Sequence, residues 1–211
     1  MIDRMPLAWP NCRNTRDLGG LIRSDNLDQL TRKGHAAFAA AGVSRIIDLR
    51  DIWETDAFPS PFRDDPRWVN IPLNDPSDPY LDHTDLLRSY QALLRNYPQR
   101  FATAVTAIAE APPGPVVVAC HAGRDRTGLV IALTLAAIDV PIEAIVADYA
   151  TAPSTWEHDP PLAATMRTLL ADLNAADYLL QAGLTPGALT ALKNRLSAAP
   201  THQPPPAADA H

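Results

Sequence analysis

The stretch that most constrains the fold runs from Val116 to Gly128 and reads VVVACHAGRDRTG. Its short apolar run is bounded in front by PPG, a pattern typical of a strand buried on both faces of a parallel sheet. The residues from Thr127 to Asp139 are apolar on nearly all sides, which predicts a buried helix. The sequence therefore predicts a strand that ends near Ala119, a tight loop, and a central helix that begins near Thr127 or Gly128.

Strands and helices alternate through the rest of the chain. Short apolar runs predict strands at 44–50 and 66–73, and the polar stretch at 11–20 predicts a loop or a short edge strand. Apolar residues at helical spacing predict helices at 27–42, 85–97, 98–111 and 141–150, around 166–173, and at 186–196. This order indicates an α/β fold in which helices flank a central, mostly parallel sheet. We expect one domain over residues 1–198 and a disordered Pro/Ala-rich tail at 199–211.

Composition narrows the class of protein. The net charge of −6 does not favour nucleic-acid binding, and the longest apolar run, GLVIALTLAAI, is too short to span a bilayer. The beginning of the chain lacks the apolar core of a signal peptide, and the two cysteines, Cys12 and Cys120, form no zinc-binding pattern. We expect a cytoplasmic protein without a membrane span and without a metal site.

The loop after the predicted strand has the properties of an anion site. Gly123 permits a backbone conformation with positive φ, and a loop wrapped in front of a helix N-terminus directs several N–H groups to one point. The same field favours a thiolate over a thiol at Cys120. Cys120 and Arg126 enclose five residues, and the planar guanidinium can hold two oxygens of a tetrahedral dianion.

This arrangement predicts a phosphoryl transfer in two steps. Cys120 attacks the phosphorus opposite the leaving oxygen, while Arg126 and the loop amides stabilise the charge on the other oxygens. The product is a thiophosphate ester on Cys120, which water then hydrolyses. Thr127 can donate its hydroxyl to the sulfur and help it leave in the second step.

Several stretches together resemble a known family. They are CHAGRDRTG at 120–128, NTRDLGG at 14–20, IIDLRDIWE at 46–54 and ADYLLQAGLT at 176–185. They are similar to the corresponding stretches of bacterial tyrosine phosphatases with dual-specificity and phosphoinositide activity. The resemblance implies a cysteine-dependent phosphatase fold and hydrolysis of phosphotyrosine, with phosphoserine, phosphothreonine or phosphoinositides as further substrates and no cofactor.

The resemblance also implies the roles of individual residues. The loop residues would line the bound phosphate, and here they are His121, Ala122, Gly123 and Arg124. Arg16 and Asp17 would lie at the rim of the pocket or form a structural salt bridge. Arg50, at the carboxyl end of a predicted strand, would brace the loop. The geometry of the loop, rather than the resemblance, leads us to expect that Arg124 points outward, where it would favour a doubly phosphorylated or acidic substrate or be only a solvated charge.

Two positions depart from the family pattern. The family usually has a histidine directly before the cysteine, where this chain has Ala119, and its subgroup often has a lysine where Arg124 stands. The change at Ala119 leaves a second class of function open, a phosphate-binding module with weak or no turnover.

The proton donor for the leaving group has three candidates. Asp125 lies directly before Arg126, and a bound phosphate dianion would help it to hold a proton. The alternatives are Asp75 and Asp78 in the loop NDPSDPY. Asp125 could also serve only to hold the loop open by pairing with Arg16 or Arg50.

Overall fold

The computed structural model of the protein describes residues 5–75, 77, 85–152 and 161–197. Asp78 and the Pro/Ala-rich tail at 199–211 lie outside these residues. Within the described ranges one sheet contains six strands in the order β1-β2-β3-β6-β4-β5. The strands are β1 (Met5–Pro6), β2 (Arg16–Asp17), β3 (Leu21–Ser24), β4 (Arg45–Asp48), β5 (Trp68–Asn70) and β6 (Val116–Ala119).

The sheet is mostly parallel, as predicted. β6 lies between β3 and β4 and runs parallel to both, and β5 extends the parallel part beyond β4. β1 and β2 form an antiparallel edge beside β3. The stretch at 11–20, expected to be a loop or a short edge strand, contains the strand β2, which lies between β1 and β3 and is not at the edge of the sheet. β1 and β3 were not predicted from the sequence.

The helices of the described residues agree with most of the predicted ones. They are α1 (Arg32–Ala40), α2 (Ile52–Ala57), α3 (Leu86–Asn96), α4 (Pro98–Ala109), α5 (Asp125–Ala137), α6 (Ile142–Tyr149), α7 (Leu162–Ala171), α8 (Ala175–Gln181) and α9 (Pro186–Ser197). The helix expected at 27–42 is interrupted. A short 3₁₀ turn at Leu27–Gln29 comes first, and α1 begins only after Thr31, whose hydroxyl accepts a hydrogen bond from the Gly34 N–H at 3.1 Å.

The central strand is buried on both faces, as its composition predicts. Val116 and Val118 pack into the larger hydrophobic cluster, which includes the apolar residues of α4 and α5. Val117 and Ala119 pack into a smaller cluster on the opposite face, together with Phe38 of α1. Within the described residues no helix is long and apolar enough to cross a membrane.

Candidate active site

The loop that connects β6 to α5 opens at the middle of the carboxyl edge of the sheet. In open α/β sheets this edge is where ligands bind. The helix α5 begins at Asp125, two residues before the start expected from the sequence. As a result Asp125, Arg126 and Thr127 all lie in its first turn, beside the loop at 120–124.

Three consecutive carbonyl groups of this loop, at 121–123, accept hydrogen bonds from neighbouring segments. The first accepts from the backbone N–H of Asn26 at 3.1 Å. The second and third accept from the side-chain amide of Asn14 at 3.1 and 2.8 Å. The third also accepts from the guanidinium of Arg23 at 2.6 Å.

The position of these carbonyl groups determines where the amide groups point. The described peptide bonds include no cis form, and in a trans peptide the N–H points opposite to the C=O of the preceding residue. The N–H groups of residues 122–124 therefore face away from Asn14, Arg23 and Asn26. Together with the N-terminus of α5, they form a cradle suited to an anion.

Gly123 allows the loop to lie directly on the end of β3. Its φ is +64°, and a Cβ atom at this position would lie 2.5 Å from the carbonyl oxygen of Ser24 and 2.7 Å from the nitrogen of Asp25. Both contacts are with backbone atoms, so a side chain at this position would displace the loop.

We expect Gly123→Ala to lower the free energy of unfolding by about 2–5 kcal/mol, because a left-handed conformation and a backbone clash add. Gly42→Ala is the matched control, since Gly42 has a φ of +62° but no atom within 4 Å of the added Cβ. It should lose only about 1–2 kcal/mol. Urea unfolding of the two variants measures the difference, and equal losses would show that the clash does not constrain the loop.

The two cysteines lie in different environments. Cys120 follows the last residue of β6, is buried, and belongs to the larger hydrophobic cluster. Cys12 packs against the smaller cluster on the opposite face. Burial and the negative charge of Asp25 raise the pKa of the Cys12 thiol to about 12, so Cys12 remains protonated at neutral pH.

Thr127 is fully buried in the first turn of α5. Within the described part of the chain its hydroxyl has no hydrogen-bond partner. A buried polar group without a partner costs about 1–3 kcal/mol, and such groups are often kept for a function. Its action on the cysteine sulfur stays a prediction.

Arg126 binds Glu54 through two hydrogen bonds. Its Nη2 donates to Oε1 at 2.8 Å and its Nη1 donates to Oε2. Burial opposes charge on Arg126, but its hydrogen bonds to the Glu54 carboxylate and the charge of that carboxylate raise its pKa. Burial likewise opposes charge on Glu54, yet its hydrogen bonds to Arg126 hold its pKa below the usual range. A guanidinium has five N–H donors, so the pair with Glu54 leaves donors that can face an anion in the cradle.

Glu54 was not identified from the sequence as a site residue. It lies three residues after Asp51 and accepts a hydrogen bond from the Asp51 N–H at 2.8 Å. The spacing Asp-x-x-Glu is the local sign of a helix start, which explains α2 but gives no indication of the distant Arg126.

The prediction that Arg124 points outward is wrong. Its side chain is only 1% exposed, and its Nε donates to Oδ1 of Asp125 at 3.2 Å. The cause is the early start of α5, because Arg124 occupies the N-cap position and turns toward the carboxylate of the first helical residue. Asp125 also accepts a hydrogen bond from the Tyr90 hydroxyl.

Arg16 and Asp17, the two residues expected at the rim of the pocket, stabilise segments next to the loop. Arg16 donates to Asp148 at 3.0 Å and to the side-chain oxygen of Asn14 at 2.9 Å, so it orients the amide that holds the loop carbonyls. Asp17 accepts from the Gly20 N–H at 2.7 Å and closes the turn before β3.

Arg50 lies two residues after the end of β4, at the predicted end of the strand. It is buried, donates to Asp48 at 2.8 Å, and donates to the carbonyl of Phe58 at 2.9 Å. It therefore holds the end of α2. Arg16 thus forms an ion pair with Asp148, and Arg50 forms ion pairs with Asp48 and, at 3.8 Å, with Asp28. Asp125 has Arg124 and Tyr90 as partners.

Asp75, one alternative proton donor, is 43% exposed and lies 3.6 Å from Arg100. Hydrogen bonds from Ser77 hold the pKa of Asp75 below its usual range. A carboxylate that its neighbours keep ionised is a poor proton donor. Asp78, the other alternative, lies outside the described residues.

This chain is similar to known proteins over most of its length. Residues 7–198 match the model of a family described as the tyrosine phosphatase family. A tyrosine-protein phosphatase of Nostoc commune is 30% identical over 161 residues, which cover 72% of this chain and 54% of the relative. The triple specificity protein phosphatase PtpB of Mycobacterium tuberculosis is 29% identical over 193 residues, which cover 70% of this chain and 68% of the relative. The alignment thus spans about half the length of the Nostoc protein.

Proposed function

Because this chain belongs to the tyrosine phosphatase family, we propose that it hydrolyses phosphotyrosine through a cysteinyl-phosphate intermediate on Cys120. The observation that carries the proposal is the segment at 120–126, which consists of the loop at 120–124 and the first two residues of α5. Its carbonyl groups are bound from outside, its amide groups face inward, and Cys120 and Arg126 stand at its two ends.

In the first step the Cys120 thiolate attacks the phosphorus. The S–P bond forms as the bond between phosphorus and the leaving oxygen breaks. The loop amides and the free donors of Arg126 stabilise the charge on the three remaining oxygens. Asp125 donates a proton to the leaving oxygen, so a neutral tyrosine hydroxyl departs.

In the second step water attacks the phosphorus of the intermediate. Asp125, now a carboxylate, accepts a proton from this water, and the S–P bond breaks to release inorganic phosphate. The buried hydroxyl of Thr127 then has a partner, since it can donate to the sulfur as negative charge returns there.

The surface beside the loop favours an aromatic substrate. Ile52, Trp53 and Phe58 are exposed by 61%, 45% and 47%, and all three belong to α2 or its C-terminal end. The ring of Phe58 lies 6.0 Å from that of His121 in the loop. An exposed apolar side chain beside an anion site can contact an aromatic ring, so Phe58 would suit the ring of a phosphotyrosine.

Phosphoserine, phosphothreonine and phosphoinositides are further candidate substrates. The name of the mycobacterial relative states triple specificity, which supports testing more than one substrate class. A second candidate function is phosphate binding with weak turnover. It is favoured by Ala119, which stands directly before Cys120 and packs into the smaller hydrophobic cluster.

A trapping experiment tests the proposal. Wild-type protein is mixed with a phosphotyrosyl peptide that carries a radiolabelled phosphate, and the reaction is quenched in acid during turnover. The protein is then digested, and the fragment of the protein that carries the label is identified. We expect released phosphate and a label on Cys120. The same assay with a phosphoseryl peptide and a phosphoinositide ranks the substrate classes. Binding of phosphate without release from any substrate would favour the binding module and overturn the proposed activity.

A further inference from the structure

Two buried tyrosines from different helices meet at Asp125. Tyr90 belongs to α3 and Tyr149 is the last residue of α6, and both side chains are at most 1% exposed. Their rings lie edge to face, with centroids 6.4 Å apart. The Tyr90 hydroxyl donates to Oδ1 of Asp125 and also contacts the Tyr149 hydroxyl.

The number of phenolic protons determines the direction of the hydrogen bonds that link Tyr149, Tyr90 and Asp125. A phenol has one hydrogen to donate, and Tyr90 donates it to Asp125. The hydrogen bond between the two hydroxyls must therefore run from Tyr149 to Tyr90. The chain thus leads in one direction, from Tyr149 to Tyr90 and from Tyr90 to the carboxyl group.

Both phenols remain protonated in the working range of pH. Burial and the negative charge of Asp125 raise the pKa of Tyr90 well above its usual value. The same two causes raise the pKa of Tyr149, and its hydrogen bond to Tyr90 and the nearby charges of Arg124 and Arg23 only partly oppose them. The two hydroxyls therefore act as fixed donors and exchange no proton with the substrate.

We propose that Tyr90 and Tyr149 are positioning residues that hold Asp125 with Oδ1 as an acceptor and Oδ2 as the atom that carries the catalytic proton. The proposal rests on the proposed function and on Asp125 as its acid. Two donors, the Tyr90 hydroxyl and the Arg124 Nε at 3.2 Å, both lead to Oδ1. A proton on Oδ1 would face these donors, so the carboxyl group binds its proton on Oδ2.

The proton balance of the reaction then involves one atom. In the first step the proton moves from Oδ2 to the leaving oxygen. In the second step the attacking water returns a proton to Oδ2. Tyr90 and Arg124 keep their hydrogens throughout, and the side chain needs no rotation between the steps.

The packing of the Tyr149 ring fixes the two hydrogen-bonded tyrosines against α5. A Cβ atom at Gly128 would lie 2.7 and 2.8 Å from two carbon atoms of the Tyr149 ring. Gly128 lies three residues after Asp125, and residues at this spacing share one face of a helix. The glycine therefore lets the ring approach the same face of α5 that carries the carboxyl group.

The test compares Tyr90→Phe with a matched control. Tyr178→Phe removes a partly buried hydroxyl that contacts α3, where it donates to the carbonyl of Leu94 at 2.8 Å. Both variants are assayed with phenyl phosphate, whose leaving group needs a proton, and with p-nitrophenyl phosphate, whose leaving group needs one much less. Thermal unfolding and inhibition by inorganic phosphate report on folding and on anion binding.

We expect Tyr90→Phe to lower kcat/KM for phenyl phosphate by about ten- to a hundredfold. With p-nitrophenyl phosphate the loss should be under about threefold, and inhibition by phosphate should be unchanged. Tyr178→Phe should change neither rate by more than about twofold. In an Asp125→Asn background Tyr90→Phe should have almost no further effect, because the acid that it positions is already absent.

The outcomes separate the positioning role from the activity. If the wild-type protein hydrolyses both substrates but Tyr90→Phe slows them equally, or slows them as much in the Asp125→Asn background, the positioning role is overturned and the phosphatase activity stands. If the wild-type protein hydrolyses neither substrate, the proposed function and the positioning role are both overturned.

Discussion

Replacement of Cys120 by serine is expected to lower kcat/KM for a phosphotyrosyl peptide by at least about 10⁴-fold, the size of loss seen when a catalytic nucleophile is removed. The hydroxyl of serine gives up its proton far less readily than a thiol, and its neutral form is a weak nucleophile. The loop amides and Arg126 do not depend on the sulfur, so the variant should still bind the peptide. Initial rates and calorimetric titration measure the two properties separately.

Cys12→Ser is the control for this prediction. Cys12 lies on the opposite face of the sheet, and its pKa, raised to about 12 by burial and by Asp25, keeps it a thiol. Its replacement should change the rate by less than about twofold. Retention of activity in Cys120→Ser, or an equal loss in Cys12→Ser, would contradict Cys120 as the nucleophile.

The central unit of the fold could be predicted because its signals are local. The apolar run before Cys120 indicates a strand buried on both faces, and the apolar residues after Thr127 indicate a buried helix. The structure confirms both as β6 and α5, and ten residues of α5 are buried. Such a unit can be predicted without knowledge of distant residues, because its own apolar composition indicates that it is buried.

The strand β3 was missed for the opposite reason. Its sequence is LIRS, and all four residues are buried, including Arg23. A charged residue is rarely buried without a partner, and the partner here is Asp148, at 2.6 Å and 125 residues away in the chain. Nothing near Arg23 in the sequence indicates that its charge is balanced.

The residues that hold the loop at 120–124 were also missed because their partners are distant in the sequence. Asn14 and Arg23 bind the carbonyl of Gly123 across 109 and 100 residues of chain, and Glu54 binds Arg126 across 72. The sequence predicts which residues would contact an anion, because those lie in one loop. It does not indicate which residues hold that loop in shape, since they come together only when the sheet has formed.

Replacement of Arg126 by lysine is expected to lower kcat/KM by about 10²–10³-fold, although the positive charge is kept. A guanidinium can bind Glu54 with two N–H groups and still present other N–H groups to the phosphate. An ammonium has three donors around one nitrogen and cannot form paired hydrogen bonds with Glu54 and with the phosphate at the same time. Lysine at this position would remain with Glu54, or reach the phosphate and leave a buried carboxylate without its partner.

Arg167→Lys is the matched control, because Arg167 also binds a glutamate through two hydrogen bonds, at 2.7 and 2.8 Å, but on the exposed surface. This control should change stability by less than about 1 kcal/mol and leave the rate unchanged, and an Arg126→Lys variant within tenfold of the wild-type rate would show that charge alone suffices at this position.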